Sequence, residues 1–119
     1  MTRKMNDGDV GEGDGVRERK ILSILLKYVN GEPLPASYGV PAAMQADRVV
    51  PRSYLQVRTQ KVNSFINHRL GGNAALDTAI RSLIDSGYIV EVAKQTNIDQ
   101  YDYHGKSYRI MSIPRSITE

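Results

Sequence analysis

The residues best placed for chemistry are basic ones in a part of the chain that contains no acid. In the 119-residue sequence, no aspartate or glutamate lies between Asp47 and Asp77. That stretch contains five basic residues, Arg48, Arg52, Arg58, Lys61 and Arg69. The whole chain has a formal net charge of only +3, so its positive charge is concentrated here. Clustered Lys and Arg side chains are typical of nucleic-acid binding, and the alternative is an ordinary solvated surface on which charges cluster by chance.

A second group of polar residues shares one face of a predicted helix. Leu76, Ala79, Ile80, Leu83 and Ile84 repeat at helical spacing and predict a helix that Asn73 caps and Ser86-Gly87 ends. The face opposite these apolar residues would hold Ala75, Asp77, Thr78, Arg81, Ser82 and Asp85.

Four side chains near that face have hydrogen-bonding groups that match base edges: Asn73, Thr78, Arg81 and Ser82. Asparagine pairs with adenine, arginine pairs with guanine, and hydroxyl groups bond either bases or phosphates. Asp77 would repel phosphates unless Arg81, four residues further on, neutralises it. The alternative is a helix face that only contacts solvent.

Several kinds of chemistry are not expected. The chain has no cysteine, and its two histidines, His68 and His104, fall in different predicted elements. We therefore expect no disulfide, no metal site, no cofactor and no enzymatic activity. The sequence has neither an apolar run of the ~20 residues that a membrane span needs nor a signal peptide, so we expect a cytoplasmic protein without membrane contact.

The elements that must position these residues begin after a tail. Residues 1–15 are rich in glycine and acid and are expected to be disordered. From Val16 onward, one apolar stripe predicts a first helix that Asn30-Gly31 ends; the stripe comprises Ile21, Ile24, Leu25, Tyr28 and Val29. The proline-rich connection 31–52 contains one possible helical turn, 42–47. It either has a function of its own or packs over the core through Tyr38, Val40 and Met44.

The middle of the chain predicts a short strand over 54–57, followed by a second helix. Thr59 is its expected cap, the apolar residues Val62, Phe65, Ile66 and Leu70 share its face, and Gly71-Gly72 ends it. After the third helix, residues 88–92 and 106–113 predict two strands, with Tyr108 and Ile110 on one face and a long polar hairpin tip between them.

This order of elements resembles the winged helix-turn-helix superfamily. Residues 73–92 are similar to the recognition helix and following strand of MarR-like regulators and of the winged domains of plasmid and phage replication proteins. The resemblance implies an α+β, mainly α fold of three helices and a C-terminal β-hairpin wing. It covers residues 16–113 and leaves 114–119 as a C-terminal tail.

The resemblance also implies a nucleic-acid-binding function, because the third helix of this superfamily enters the major groove. We expect Arg58 and Lys61, near the start of the second helix, and Arg69, at its end, to bind phosphates. In the wing, Lys94 and Lys106 are the basic residues, while Tyr101 and Tyr103 either stack on unpaired bases or brace the hairpin.

The expected partner is DNA, with duplex favoured over single strands, in transcription regulation or in plasmid or phage replication. A homodimer or a protein partner is left open. The alternative function is a winged-helix module for protein–protein interaction.

Overall fold

The computed structural model describes residues 11–92, 101, 103 and 105–117. Its fold is α+β, in which a three-stranded antiparallel sheet packs against helices. In chain order the elements are α1 (Gly11–Val29), α2 (Ala42–Ala46), β1 (Val49–Pro51), α3 (Arg52–Thr59), α4 (Asn63–Ile66), α5 (Gly72–Asp85), β2 (Ile89–Glu91) and β3 (Ser107–Ile110).

The first helix is confirmed, although it is longer than predicted. It begins at Gly11, so residues 11–15 are helical and not part of a tail, and residues 1–10 lie outside the described residues. Ile21, Leu25 and Tyr28 are fully buried, as the apolar stripe predicts. Gly31 ends the helix with a φ of 92°, a value that favours glycine because it has no Cβ.

The connection between α1 and β1 packs over the core. The predicted helical turn is present as α2, which Pro41 precedes, and Met44 on it is fully buried. The amide Nε2 of Gln45 donates hydrogen bonds of 2.9 Å to the carbonyl oxygens of Tyr28 and Glu32. The ring of Tyr38 meets the ring of Tyr54 edge-on, with centroids 5.5 Å apart. Of the two alternatives for residues 31–52, the structure therefore shows packing over the core.

The predictions for residues 54–70 are wrong. Residues 54–57 are helical and belong to α3, and the first strand is Val49–Pro51. The expected second helix over 59–70 is replaced by α3, which ends at Thr59, and by the single turn α4. Tyr54 has strand propensity, but its burial against α1 overrides it, since the centroid of its ring lies 5.1 Å from that of the Tyr28 ring.

The helix α5 confirms the most regular apolar pattern of the sequence. Each of Leu76, Ala79, Ile80 and Leu83 is at most 3% exposed. The expected cap is wrong, because α5 begins at Gly72 and Asn73 lies in its first turn without a capping bond. Gly71 precedes the helix with a φ of 102°, which only glycine adopts readily. Ala75 is fully buried, not on the exposed face, because it points toward the neighbouring helices.

The sheet brings the end of the chain beside its middle. β3 is the central strand, and it pairs with β1 through Tyr108 and Val50 and with β2 through Ile110 and Ile89. Both strands of the predicted hairpin are present but shorter than expected. Tyr108 and Ile110, which the sequence predicts to share one face, are both buried. Most of the hairpin tip, including Lys94, lies outside the described residues.

The described part of the tip and the C-terminus both pack on the domain. Tyr101 is 5% exposed and its hydroxyl donates to Oδ2 of Asp47 at 2.9 Å, while the hydroxyls of Tyr103 and Ser53 are 2.9 Å apart. Both tyrosines therefore brace the hairpin. Ile117, which falls in the predicted C-terminal tail, is 7% exposed and belongs to the main core.

Candidate nucleic-acid interface

The outer face of α5 presents a continuous polar surface. Asn73, Thr78 and Arg81 are exposed, and Ser82 is half-buried. At about 100° per residue, Arg81 lies about 160° around the helix from Leu83, which is buried. Arg81 is therefore at the centre of the exposed face. No hydrogen bond or ion pair of its guanidinium is found in the part of the chain that the structure describes.

A cleft of about 500 Å³ lies beside this face, between α5, the start of α3 and the sheet. Its polar lining combines three basic side chains with two acidic ones and a tyrosine: Arg52, Arg81, Lys106, Asp77, Glu91 and Tyr108. The fold thus brings together two residues predicted for the site, Arg81 and Lys106. Burial, together with the charge of Glu91, raises the pKa of Tyr108, so its hydroxyl stays protonated and neutral at ordinary pH.

Arg52 is the residue of this site that sequence reasoning missed. Its Nε and Nη2 lie 2.9 and 2.8 Å from Oδ1 of Asp77, and its Nη1 donates to Oε1 of Gln56 at 3.1 Å. Its backbone N–H donates to the carbonyl oxygen of Lys106 at 2.9 Å, which ties the start of α3 to β3. The expected Asp77–Arg81 pair is therefore wrong, since Asp77 pairs with Arg52. Membership of the acid-free stretch was the only sequence signal for Arg52.

The Arg52–Asp77 pair contributes little to stability, because the Asp77 side chain is 61% exposed. Ion pairs at that exposure stabilise a fold by about 0–1 kcal/mol. The larger consequence is electrostatic, since the charge of Asp77 on the outer face of α5 is compensated by an arginine from a neighbouring helix. Arg81 and Asp85 are the exposed charges of that face for which the described part of the chain shows no ion pair.

Arg58 does not belong to this surface, and its predicted role in phosphate binding is not supported by its contacts. Its Nη1 donates to Oε1 of Glu32 at 2.6 Å and to the hydroxyl of Tyr54, and its guanidinium carbon is 5.4 Å from the centre of the Tyr54 ring. It also lies in the last turn of α3, about 160° around that helix from Gln56. The physical reason is that the carboxylate of Glu32 binds this guanidinium within the fold and so competes with any phosphate.

The contacts with Arg58 and Tyr54 lower the pKa of Glu32. Desolvation by itself would raise the pKa of Glu32, but hydrogen bonds from Tyr54 and Arg58 and the charge of Arg58 hold it below its ordinary value. Burial and the hydrogen bond to Glu32 raise the pKa of Tyr54. Glu32 is thus ionised and paired at neutral pH.

The other predicted residues that the structure describes do not line the cleft. Lys61 and Arg69 are exposed, one after α3 and the other after α4, and neither lines the cleft. Asn73 lies at a smaller hollow of about 270 Å³, between α3 and the start of α5, with Gln56 and Gln60. Lys94, predicted for the wing, lies outside the described residues.

A second groove, of about 490 Å³, lies on the side of the molecule formed by α1 and the C-terminal segment. Val16, Ile24, Val62 and Ile117 form its apolar part, and Arg19, Lys20 and Arg58 are its charged residues. Sequence reasoning did not predict it, because it depends on Ile117 returning to the core.

Within the described ranges, no cluster of His, Asp and Glu side chains could hold a metal ion. None of the helices in the described part of the chain is both long and apolar enough to span a membrane. No family model, curated protein or solved structure matches the chain.

Proposed function

We propose that the chain is a non-enzymatic winged helix-turn-helix protein of the cytoplasm that binds duplex DNA, with α5 as its recognition helix. The order of α1, β1, α3, α5, β2 and β3 supports this proposal. The placement of β3 between β1 and β2 also supports it, because the hairpin that follows α5 then packs against the strand that precedes α3. Its biological setting would be transcription regulation or plasmid or phage replication.

The observation that carries the proposal is the position of Arg81. It is exposed at the centre of the outer face of α5, its guanidinium makes no hydrogen bond or ion pair with the described residues, and it lies in one cleft with Arg52 and Lys106. In the bound state α5 enters the major groove and Arg81 donates to guanine. Thr78, Asn73 and Ser82 lie on the same surface as further donors and acceptors for bases or phosphates.

The phosphate contacts come from cations around α5. Lys106 borders the cleft, and Lys61 and Arg69 are exposed in the segments before α5. Lys94 is expected to contribute from the wing. Arg58 is not part of this proposal, because Glu32 and Tyr54 bind its guanidinium.

The proposal is tested by fluorescence anisotropy with labelled random duplex and single-stranded DNA at salt concentrations of about 50 and about 200 mM. We expect duplex to bind more tightly and the affinity to fall steeply with salt, because each phosphate contact releases counterions. Lys61→Ala should lower the salt slope by about one unit. Arg115→Ala is the matched control, since Arg115 is exposed and lines neither the cleft nor the hollow at Asn73. Failure of the parent protein to bind any duplex would refute the proposal.

A protein-interaction module is the second candidate, and the groove on α1 favours it. Apolar surface bordered by Arg19 and Lys20 fits a peptide that has both apolar and acidic side chains. Binding of that kind would depend on salt less steeply than binding to phosphates, so the same titration separates the two functions.

A further inference from the structure

Asp77 is one of two exposed acids on α5, the other being Asp85, and an acid on this face disfavours binding of a polyanion. Asp77 lies four residues before Arg81, and both residues line the same cleft. An isolated carboxylate there would repel DNA phosphates. Asp77 is not isolated, because Arg52 binds it from α3.

The geometry of that ion pair leaves one carboxylate oxygen of Asp77 available as a hydrogen-bond acceptor. Both contacts from Arg52, at 2.9 and 2.8 Å, go to the Oδ1 atom of Asp77. The Oδ2 atom has no hydrogen-bond partner among the residues that the structure describes. Asp77 is therefore a carboxylate whose charge is compensated on one oxygen while the other can still accept a hydrogen bond.

The carboxylate of Asp77 and the guanidinium of Arg81 each match particular base edges in the major groove. A carboxylate accepts from the N4 amino group of cytosine, and an arginine donates to O6 and N7 of guanine. Residues four apart on a helix are separated by about 6 Å along its axis, whereas stacked base pairs are about 3.4 Å apart. Asp77 and Arg81 would therefore contact the same base pair or base pairs one or two steps apart.

We infer that the outer face of α5 selects duplex DNA that contains one G·C base pair, or two within two steps of each other, with Arg81 bound to guanine and Oδ2 of Asp77 bound to cytosine. This inference rests on the proposed function and adds the base preference. Arg52 is a positioning residue in it: its guanidinium, also held by Oε1 of Gln56, orients Asp77 and compensates its charge.

The experiment selects bound duplexes from a library with a randomised centre and sequences them, using the full-length protein. The parent protein should enrich G·C pairs at one position, or at two positions no more than two steps apart, with discrimination of about 5- to 150-fold against the wrong base. Arg81→Ala should abolish the preference for guanine. Asp77→Ala should abolish the preference for cytosine.

The most specific variant is Asp77→Asn, because an asparagine pairs with adenine through N6 and N7. The selected base should then change from cytosine to adenine at the position that Asp77→Ala affects. Asp85→Ala is the matched control: Asp85 is the other exposed acid of α5 and does not line the cleft. It should strengthen binding to all sequences and leave the base preference unchanged.

The role of Arg52 is tested by measuring two quantities for each variant, the affinity for random duplex DNA and the base preference at the Asp77 position. Arg52→Ala should weaken binding to all sequences, because Asp77 then carries an uncompensated charge, and it should also broaden the base selected at the Asp77 position. Arg52→Lys should restore the general affinity but not the sharp preference, since a lysine keeps the charge and loses the guanidinium fork. The double variant Arg52→Ala with Asp77→Ala should bind random duplex more tightly than Arg52→Ala alone. Circular dichroism of each variant confirms that it is folded.

Two results overturn the inference without affecting the proposed function. One is a parent protein that binds duplex with no G·C enrichment. The other is retention of the parent preference by Asp77→Ala and Asp77→Asn. A parent protein that binds no duplex at all refutes the proposed function as well.

Discussion

Replacing Arg58 by alanine separates the structural role of this residue from the phosphate contact that the sequence predicted. The change removes the bond from Nη1 to Glu32, which measures 2.6 Å, and the bond to the hydroxyl of Tyr54. It leaves a carboxylate that is only 29% exposed without its cation. Hydrogen bonds to charged groups contribute about 1.5–3 kcal/mol, so we expect a loss of stability in that range. For a domain of this size the melting temperature should fall by roughly 5–15 °C.

The assay pairs thermal unfolding, followed by circular dichroism, with anisotropy on random duplex DNA. Lys61→Ala is the matched control, because Lys61 is exposed three residues further along the chain. Arg58→Ala should lower the melting temperature and leave duplex affinity nearly unchanged below the transition. Lys61→Ala should weaken binding to duplex DNA and leave the melting temperature nearly unchanged. If Arg58→Ala weakens duplex binding while the melting temperature stays the same, Arg58 contacts phosphates and does not have the structural role described above.

Two further predictions concern the fold. The pKa of Glu32 is depressed in the folded state, so the stability that its pairing contributes is present above its ordinary pKa of 4.5 and is lost as the pH falls through the folded value. The difference in unfolding free energy between the parent and Arg58→Ala, measured with urea, should therefore narrow as the pH falls from about 7 to about 3; a constant difference would contradict this. Leu83→Ala should cost about 2–5 kcal/mol in urea unfolding, because the side chain is 1% exposed at the centre of the core and its truncation leaves a cavity. A near-neutral result would contradict the orientation of α5.

The elements that the sequence predicted well are those with a long periodic pattern. In α5, four of the five apolar residues at helical spacing are buried and the fifth, Ile84, is half-buried. Gly87, with a φ of 84°, follows the end of that helix as expected. Short elements could not be predicted in this way. β1 is only three residues long and all three are buried, so it has no alternation of polar and apolar residues.

Only the part of the site that lies on the single helix α5 could be predicted from the sequence. The exposed positions of Thr78 and Arg81 follow from the period of α5. The partner of Asp77 is Arg52, 25 residues away in the chain, and that of Arg58 is Glu32, 26 residues away. Local spacing favours a pair four residues apart and contains no information on pairs that the tertiary fold creates.

An NMR titration with DNA shows residue by residue whether α5 and its cleft form the DNA-binding surface. Two-dimensional ¹H–¹⁵N spectra of the labelled protein would be recorded as a short G·C-containing duplex is added. We predict that the amide signals of Arg52, Thr78, Arg81 and Lys106 shift most. Amides on the α1 groove, such as those of Lys20 and Ile117, should stay in place. Shifts confined to the α1 groove, or none at saturating duplex, would contradict this placement of the DNA-binding surface.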